Sequence, residues 1–494
     1  MKFPFLQQPI FQLIKQAVDE VHTEAFLIGG FVRDFLLYHQ TDHEIDIVCT
    51  HHALEVAEKI CEKLGKDAHL SLFKNYGTAH VSYRDITIEL VNARKESYRP
   101  HSRKPLVESG TIEEDQKRRD FTINTLAIGL DAKNFGRFVD PFNGLEDLKN
   151  KIIRTPLNAS LTFSDDPLRM MRAIRFATRL QFTIESNTFQ AIQEQRERIR
   201  IVSQERISDE LHKILLSEKP SKGFYLLDES GLLSIIFPEL VKLKGTETIN
   251  GLSHKDNFIH TLQVLDNVAM LQKKLLSQTE QRQEKNKQSL LWLRWAALLH
   301  DVAKPHTKRF EESKGFTFHG HEELGARMIP KIFKQLRLPL NEKMKYVQKL
   351  VRLHLRPIVL AKTEVTDSAV RRLLFEASDA IDDLMLLCEA DITTKNPLRL
   401  KQYLQNFEQV RKKLKEIEEK DHIRNFQPPI RGEEIIQMFQ LKPGKMVGIL
   451  KDALKEAILE GQVKNDYQEA KQFLIELYDK IQKNPAILSS FNKQ

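Results

Sequence analysis

The segment from Leu27 to Val48, LIGGFVRDFLLYHQTDHEIDIV, constrains the fold more than any other part of the chain. Its last residues predict a β-strand in which Glu44 and Asp46 share one face while Ile45 and Ile47 enter a core, because side chains alternate across a strand. Adjacent carboxylates repel each other unless a cation lies between them, and a hard divalent cation such as Mg²⁺ is the usual solution. Taken alone, such a pair is more often a solvated strand edge.

The residues before this strand predict a phosphate-binding turn. Gly29 and Gly30 follow an apolar stretch, and the helix predicted after them carries Arg33 near its start. Backbone N–H groups at a helix N-terminus and a nearby guanidinium group both bind phosphate oxygens. The order of strand, glycine turn, arginine-bearing helix and paired carboxylates therefore indicates phosphoryl or nucleotidyl transfer.

Composition narrows the class of protein. A length of 494 residues favours three or four domains. The formal net charge of +8 favours a polyanionic partner, although surface charge that serves solubility gives the same total. Only three cysteines occur, without a C-x-x-C pair, so we expect no disulfide framework and a cytoplasmic location. No apolar run is long enough to span a membrane, so we expect no membrane partner.

Strand-like and helical segments alternate up to about residue 155, which predicts a small mixed α/β domain. From Pro156 onward the apolar residues recur at spacings of three and four, which predicts helices throughout the remainder.

Four further strings follow the opening segment in order. They are RRDFTINTLAI (118–128), DPFNGLEDLKNKIIRTP (140–156), SDDPLRMMRAIRFATRLQF (164–182) and QERISDELHKIL (204–215). Together with the opening segment they resemble the tRNA nucleotidyltransferase and poly(A) polymerase branch, class II, of the DNA polymerase β-like nucleotidyltransferases.

The resemblance implies an α+β polymerase β-like head over residues 1–155 and an all-α remainder. That remainder would comprise a neck of nucleotide-selecting and RNA-binding helices (156–245), a body (246–400) and a tRNA-binding helical tail (401–494). The string LKPGKMVGILKDALKEAILEG (441–461) is similar to the tail of these enzymes.

The resemblance also implies roles for individual residues. The catalytic residues would be Glu44, Asp46 and Asp120, the first two binding Mg²⁺. The nucleotide-binding residues would be Gly29, Gly30, Arg33, Arg119, Asn124, Asp166, Arg169 and Arg172. Members of the family commonly have aspartate at the position of Glu44. Glu89 on a predicted strand is either a third carboxylate beside the metals or a surface residue.

The string after Ser164 predicts a helix capped by Ser164 or Asp165, with Pro167 in its first turn. One basic stripe follows from spacings of three, three and four, formed by Arg169, Arg172, Arg175 and Arg179. A solvated arginine face is one interpretation. In the other, Asp166 accepts from the amino group that cytosine and adenine share while Arg169 donates to ring acceptors. The resemblance implies such a protein template for CTP and ATP.

The segment between Val91 and Asp120 is long, basic and irregular, and a passive surface loop is one reading of it. In the CCA-adding branch that it resembles, the corresponding loop helps the enzyme to switch from C to A addition. Its presence argues against a CC-only enzyme.

A second chemistry is predicted in the helical part. Imidazoles and carboxylates are ligands for divalent transition metals, and the candidates here are His260, His300, Asp301, His321, His354 and Asp391. The string LLHDVAKP resembles the HD metal-dependent phosphohydrolases, with His321 and His354 as candidates for a second metal. The resemblance implies hydrolysis of 2′,3′-cyclic phosphates or 3′-terminal phosphomonoesters. A degenerate domain that only positions RNA is the alternative.

The sequence therefore predicts an enzyme that adds or repairs the 3′-terminal CCA of tRNA with CTP and ATP, fused to an HD phosphohydrolase. The nearest alternative is a poly(A) polymerase or an A-adding tRNA nucleotidyltransferase. A third is an HD phosphohydrolase whose head only binds RNA.

Overall fold

The computed structural model describes residues 2–40, 43–97, 106–277, 287–361, 366–394, 396–421 and 427–484. The chain divides into two compact units, Met1–Val241 and Lys242–Gln494. Among the helices of these described ranges, none is both long and apolar enough to cross a membrane.

The first unit contains all the strands of the large sheet. Its strands are β1 (Ala25–Ile28), β2 (Glu44–Cys49), β3 (Ala68–Phe73), β4 (Thr78–Tyr83), β5 (Ile86–Asn92), β6 (Arg94–Ser97), β7 (Leu106–Ser109), β8 (Ala127–Gly129), β9 (Phe138–Val139), β10 (Ile152–Ile153) and β11 (Thr183–Ile184). Its helices are α1 (Pro9–Glu20), α2 (Gly30–Tyr38), α3 (Ala53–Leu64), α4 (Ile112–Lys117), α5 (Gly144–Lys149), α6 (Ala159–Asp165), α7 (Leu168–Arg179), α8 (Ser186–Gln195), α9 (Gln204–Leu215), α10 (Pro220–Glu229), α11 (Leu232–Ile236) and α12 (Pro238–Val241).

Seven strands form one mixed sheet in the order β3-β4-β5-β2-β1-β8-β9. Strands β2 and β5 pair in parallel, and the other neighbours pair antiparallel. Strand β2 alternates as its sequence predicts, because Glu44 is exposed and Asp46 half-buried while Ile45 and Ile47 are buried. The carboxylates therefore lie on the open face of the sheet.

Apolar packing on the other face holds the sheet to its helices. Leu27, Ile45 and Ile47 are buried on that face, where Leu27 pairs with Ile47. Helix α3 buries an apolar stripe that includes Val56 and Ile60, and it packs against β4. Burying side chains of this size contributes about 1.5–3 kcal/mol each, so the orientation of the carboxylate strand is strongly determined.

The second unit is helical apart from two short hairpins. Its strands are β12 (Thr248–Ile249), β13 (Leu252–Ser253), β14 (Arg309–Glu311) and β15 (Gly315–Thr317). Its helices are α13 (Asn257–Ser277), α14 (Lys287–Leu299), α15 (Lys304–Thr307), α16 (His321–Gln335), α17 (Glu342–Leu353), α18 (Arg356–Leu360), α19 (Asp367–Ala377), α20 (Ile381–Ala390), α21 (Pro397–Asp421), α22 (Gly432–Phe439), α23 (Lys445–Leu459) and α24 (Tyr467–Lys483). Helix α13 packs against α14 and α20, and α16 packs against α17.

The helix cap predicted at Ser164 or Asp165 is wrong. Both residues end α6, and Asp166 follows as its C-cap, so Pro167 is the N-cap of α7 and not part of its first turn. The Asp166 carboxylate accepts the Leu168 N–H at 3.2 Å. Two helices meet here because the residue before a proline is disfavoured in the helical conformation.

Two candidate active sites

In the first unit, three carboxylates gather on the open face of the large sheet. The parallel register of β2 and β5 places Asp46 opposite Glu89, and Glu44 is two residues before Asp46 on the same face. Burial and then the Glu89 carboxylate raise the pKa of Asp46 to about 6, and Glu44 adds to the effect. Such an excess of negative charge fits the binding of a divalent cation.

The glycine turn lies directly against this carboxylate pair. Gly29 has a φ of 79°, and a β-carbon there would lie 3.3 Å from Asp46 Oδ2 and 3.5 Å from Arg119 Nη1. A β-carbon on Gly30 would lie 3.8 Å from Arg33 Nη2. The structure therefore brings the predicted metal-binding and phosphate-binding residues together in one corner.

A hydrogen-bonded network leads from this corner to helix α7. Arg33 donates to Asn124 Oδ1 at 2.7 Å and to both oxygens of Asp34. Asn124 donates to Asp120 Oδ1 at 2.9 Å. Arg172 donates through Nε to Asp120 Oδ2 at 2.7 Å. Four of the predicted nucleotide-site residues, in helix α2, the 120–124 segment and α7, are thus held by one another.

Asp120 is the electrostatic centre of that network. Burial alone would raise its pKa, but the Arg172 charge and the Asn124 hydrogen bond outweigh burial and lower the pKa to about 2. Asp120 is therefore an anion that orients Arg172, and we find no contact between it and the Glu44–Asp46 pair among the described residues.

Three guanidinium groups surround the buried ring of Phe176. Arg33, Arg172 and Arg175 lie 5.1, 5.5 and 3.9 Å from the ring centroid. Arg175 is buried and donates to Glu210 on α9 at 2.5 Å. The single basic stripe predicted from the spacing is thus divided, because Arg175 points into the unit while Arg179 remains exposed. Glu210 was not predicted as a site residue, although its string was recognised.

The predicted base-reading pair lies at the start of α7. Arg169 donates to the Arg118 carbonyl at 2.5 Å, next to Arg119. Arg119 in turn donates to the buried Asp115 at 3.0 Å. Asp166 Oδ2 lies 3.4 Å from Arg206 on α9. Arg206 was not identified as a site residue from the sequence. The only indication was that it belongs to the fourth string, QERISDELHKIL.

The second site lies in the second unit, where all six predicted ligands meet. They form two groups whose ligand atoms lie within 4.8 Å of one another, His260 with His300 and Asp391, and Asp301 with His321 and His354. Five of the six lie at or beside the ends of helices α14, α16, α17 and α20, and His260 lies within α13.

Short distances join the members of each group. His260 Nε2 is 2.9 Å from Asp391 Oδ1, and His321 Nε2 is 3.2 Å from Asp301 Oδ1. His300 Nε2 is 3.2 Å from Asp301 Oδ2, so Asp301 has one oxygen facing each group. Each group would offer three ligand atoms to a divalent cation.

Hydrogen bonds at Nδ1, the ring nitrogen that faces away from the cluster, orient the histidine rings. The Nδ1 atoms of His300, His321 and His354 lie 2.8, 2.7 and 2.6 Å from the carbonyl oxygens of Ala297, Phe318 and Val351. His260 instead has its Nδ1 3.1 Å from Thr393 Oγ1. Because a carbonyl oxygen can only accept, Nδ1 carries a proton in the three carbonyl-bonded rings, and Nε2 is the atom that would bind a metal ion once it is free of its own proton.

The electrostatics of the cluster also fit cations. Burial and the nearby His300 lower the pKa of His354 to about 3, so this ring is neutral. Burial opposes ionisation of Asp301, but His300 and Lys304 outweigh it and hold the Asp301 pKa well below its usual range. His300 Nε2 and both Asp301 oxygens are buried without a well-aligned hydrogen bond from the described residues, although Lys304 Nζ lies 2.6 Å from Asp301.

Three family models match the chain in the order in which these sites occur. The Poly A polymerase head domain matches residues 25–154, and the HD domain matches residues 257–395. Between them, the family described as Probable RNA and SrmB-binding site of polymerase A matches residues 181–243.

A curated relative aligns with most of the chain. The A-adding tRNA nucleotidyltransferase of Deinococcus radiodurans is 33% identical over 375 residues, which cover 74% of this chain and 79% of the relative. This chain belongs to the class II tRNA nucleotidyltransferases. The CC-adding tRNA nucleotidyltransferase of Thermus thermophilus is 30% identical over 461 residues, 92% of this chain and 93% of the relative.

Solved members of the family share the fold. The CCA-adding enzyme of Thermotoga maritima, in complex with tRNA, has a TM-score of 0.58 and 23% identity and covers 97% of this chain and 96% of its own. The predicted family and the predicted fold class, an α+β head with a mostly helical remainder, are therefore confirmed. Both the nucleotidyltransferase head and the HD domain of the family use divalent metal ions.

Proposed function

We propose that this chain builds or repairs the 3′-terminal CCA of tRNA with CTP and ATP. The observation that carries the proposal is the position of Asp46, which faces Glu89 and stands beside Glu44, Gly29 and Arg119. One corner thus offers carboxylates for a cation and a glycine turn with cationic side chains for a triphosphate.

The reaction joins the tRNA 3′-hydroxyl oxygen to the α-phosphorus of the nucleotide, while the bond to pyrophosphate breaks and the hydroxyl proton is lost. Glu44, Asp46 and Glu89 would hold Mg²⁺, which when bound favours ionisation of the hydroxyl and stabilises the charge on the phosphate oxygens. Arg33 and Arg119 bind the triphosphate, and their fixed positions limit its orientations.

Selection of CTP and ATP rests on the start of α7. The Asp166 carboxylate accepts from the amino group that cytosine and adenine share, and Arg169 donates to a ring acceptor. Arg206 lies 3.4 Å from Asp166 and restricts its rotation. Arg172, held by Asp120, contacts the phosphates or sugar of the nucleotide.

One incubation tests the proposal. We expect tRNA that lacks its 3′ end to gain C, C and A in the presence of CTP and ATP and then to stop. The A-adding name of the Deinococcus relative favours a second candidate, addition of A to a tRNA that already ends in CC. Long A tracts, or A added only after existing CC, would overturn the CCA proposal.

We further propose that the HD site hydrolyses 2′,3′-cyclic phosphates or 3′-terminal phosphomonoesters at RNA ends. Water oxygen bonds to phosphorus, one P–O bond to the ribose breaks, and the ribose oxygen takes a proton. The paired ligand groups around Asp301 support this activity over a degenerate domain, since every predicted ligand is in place. A divalent transition metal would be held there. Phosphate release from a cyclic end, tested with Mg²⁺, Mn²⁺, Co²⁺ and Ni²⁺, checks the activity.

The division of the chain into four domains is also a proposal. The four-part division into head (1–155), neck (156–245), HD body (246–400) and tRNA-binding tail (401–494) is supported by the family matches up to residue 395. Helix α21 continues across the 400/401 boundary. An enzyme of tRNA maturation would work in the cytoplasm.

A further inference from the structure

A cavity of about 520 Å³ opens beside the HD cluster within the second unit. Its lining includes His260 and Asp391 of the cluster together with Lys304, Arg399 and Tyr403. A volume of this size suits a small ligand such as one nucleotide. The cluster therefore does not lie on an open surface, and the cavity restricts what reaches it.

Helix α21 supplies one wall of the cavity. Arg399, Tyr403 and Phe407 line it, and they are four residues apart, so they lie on one face of the helix. The segment that matches the HD family ends at residue 395, before α21 begins. The wall therefore lies outside the segment that matches the HD domain.

Two of the α21 side chains that line the cavity have no hydrogen-bond or ion-pair partner among the described residues. Phe407 is buried and anchors the helix. Tyr403 is half-buried and Arg399 is exposed, and neither side chain makes a hydrogen bond or an ion pair with the described residues. An aromatic ring and a guanidinium group that face a cavity without partners are available to a ligand.

The charge of the cavity favours a phosphorylated ligand. Among the described residues, the lining has three cationic side chains, Lys255, Lys304 and Arg399, and one acidic one, Asp391. Asp391 faces His260, and Lys304 is paired with Asp301. Lys304 Nζ also lies 5.6 Å from the ring centroid of Phe318, another lining residue. Cationic groups around aromatic rings are the usual means of binding single-stranded nucleotides.

We propose that this cavity is a subsite for the terminal nucleoside of an RNA 3′ end, with Tyr403 and Arg399 as its specificity-determining residues. The terminal phosphate lies at Lys304 and the metal cluster, and the base stacks on Tyr403. Arg399 at the rim binds the phosphodiester that leads to the preceding nucleotide. The proposal rests on the phosphohydrolase activity proposed above and states what that site selects.

Crosslinking tests occupancy of the subsite without hydrolysis. The full chain in EDTA is irradiated with 8-azidoadenosine 3′-phosphate, and the adducts are located by mass spectrometry. We expect an adduct on the α21 peptide that contains Tyr403, in addition to adducts in the head. Adducts confined to residues 1–241 would overturn the proposal.

Kinetics test selectivity. Tyr403→Ala should raise KM for adenosine 2′,3′-cyclic phosphate about tenfold and leave KM for base-free ribose 2′,3′-cyclic phosphate unchanged, while Tyr403→Phe behaves as the wild type. Arg399→Ala should raise KM for a dinucleotide with a cyclic end but not for the mononucleotide. Lys401→Ala removes a charge from the same helix away from the cavity and serves as the matched control.

The outcomes separate the two proposals. If the wild type hydrolyses no substrate with any of the four metals, the activity is refuted, and the crosslink alone decides whether the subsite exists. If hydrolysis occurs but Tyr403→Ala changes KM equally for both cyclic phosphates, the subsite proposal is refuted and the activity stands.

Discussion

Glu89 lies directly opposite Asp46 on two parallel strands, and its charge helps to raise the Asp46 pKa to about 6. Glu89 and Asp46 thus lie side by side on neighbouring strands. The sequence left open whether it was a third carboxylate or a surface residue, and its position favours the first.

Glu89→Gln should reduce nucleotide addition by at least about a hundredfold, because it removes one negative charge beside Asp46 while keeping the shape of the side chain. Nucleotide addition to tRNA at saturating CTP and Mg²⁺ measures the effect. Asp85→Asn is the matched control, since Asp85 is exposed beside the same strand and its ion-pair partner among the described residues is His43. Equal activity of the two variants would exclude Glu89 from the metal site.

Substitutions in one site should abolish its activity and leave the activity of the other site intact. Asp46→Ala should abolish nucleotide addition and spare phosphohydrolysis, and Asp301→Ala or His300→Ala should do the reverse, since the residues lie in different compact units. Both activities are measured on the same preparations, with folding checked by circular dichroism. Loss of both activities in a folded variant would contradict the two-site model.

Arg169→Ala should relax selection against UTP and GTP, because it removes the donor to the base edge and leaves Asp166 in place. Arg206→Ala should have a smaller effect of the same kind, since it only frees Asp166 to rotate. Incorporation of each of the four nucleotides, compared by kcat/KM, is the measurement. Unchanged nucleotide choice in Arg169→Ala would refute the template role.

The Asp120–Arg172 pair should make stability depend on acid pH. Burial opposes ionisation, but Arg172 lowers the Asp120 pKa to about 2, so the folded state favours the anion relative to an unfolded pKa near 3.9. The resulting contribution of about 2.5 kcal/mol is present above pH 4 and is lost as pH falls toward 2.

Urea unfolding of the wild type and Asp120→Asn at pH 7, 4 and 3 checks this dependence. The difference in unfolding free energy between them should be largest at pH 7 and should shrink as pH falls below 4. A difference that is the same at all three values would show that the ionised form has no special stability.

Thr393 should tune metal affinity through His260. Three ligand histidines are oriented by backbone carbonyls, but His260 depends on the Thr393 hydroxyl. Thr393→Val should therefore weaken metal binding about 10-fold or more, as measured by titration calorimetry. Thr394→Val is the matched control, because the Thr394 hydroxyl accepts the Asn396 N–H and contacts no ligand. Equal affinities in the two variants would argue against this role.

Local periodicity accounts for what could be predicted. Alternation along β2 placed Glu44 and Asp46 on one face and Ile45 in the core, and the structure agrees. The six candidate ligands of the HD site were named from the resemblance of LLHDVAKP to the HD phosphohydrolases, and the structure brings all six together.

Contacts between distant elements could not be read in the same way. The position of Glu89 opposite Asp46 depends on the register of a parallel pair, which no local pattern encodes. The arginine stripe looked uniform in sequence, yet packing of α7 on α9 pairs Arg175 with Glu210 and leaves Arg179 exposed.

The chain by itself therefore determined its family, its fold class and the side chains available for chemistry, because these follow from residue type and spacing along single elements. Only the tertiary structure decided which of them meet. It places Glu89 beside Asp46, Arg206 next to Asp166, and α21 against the HD cavity. These contacts depend on how separate helices and strands pack to bury their apolar faces.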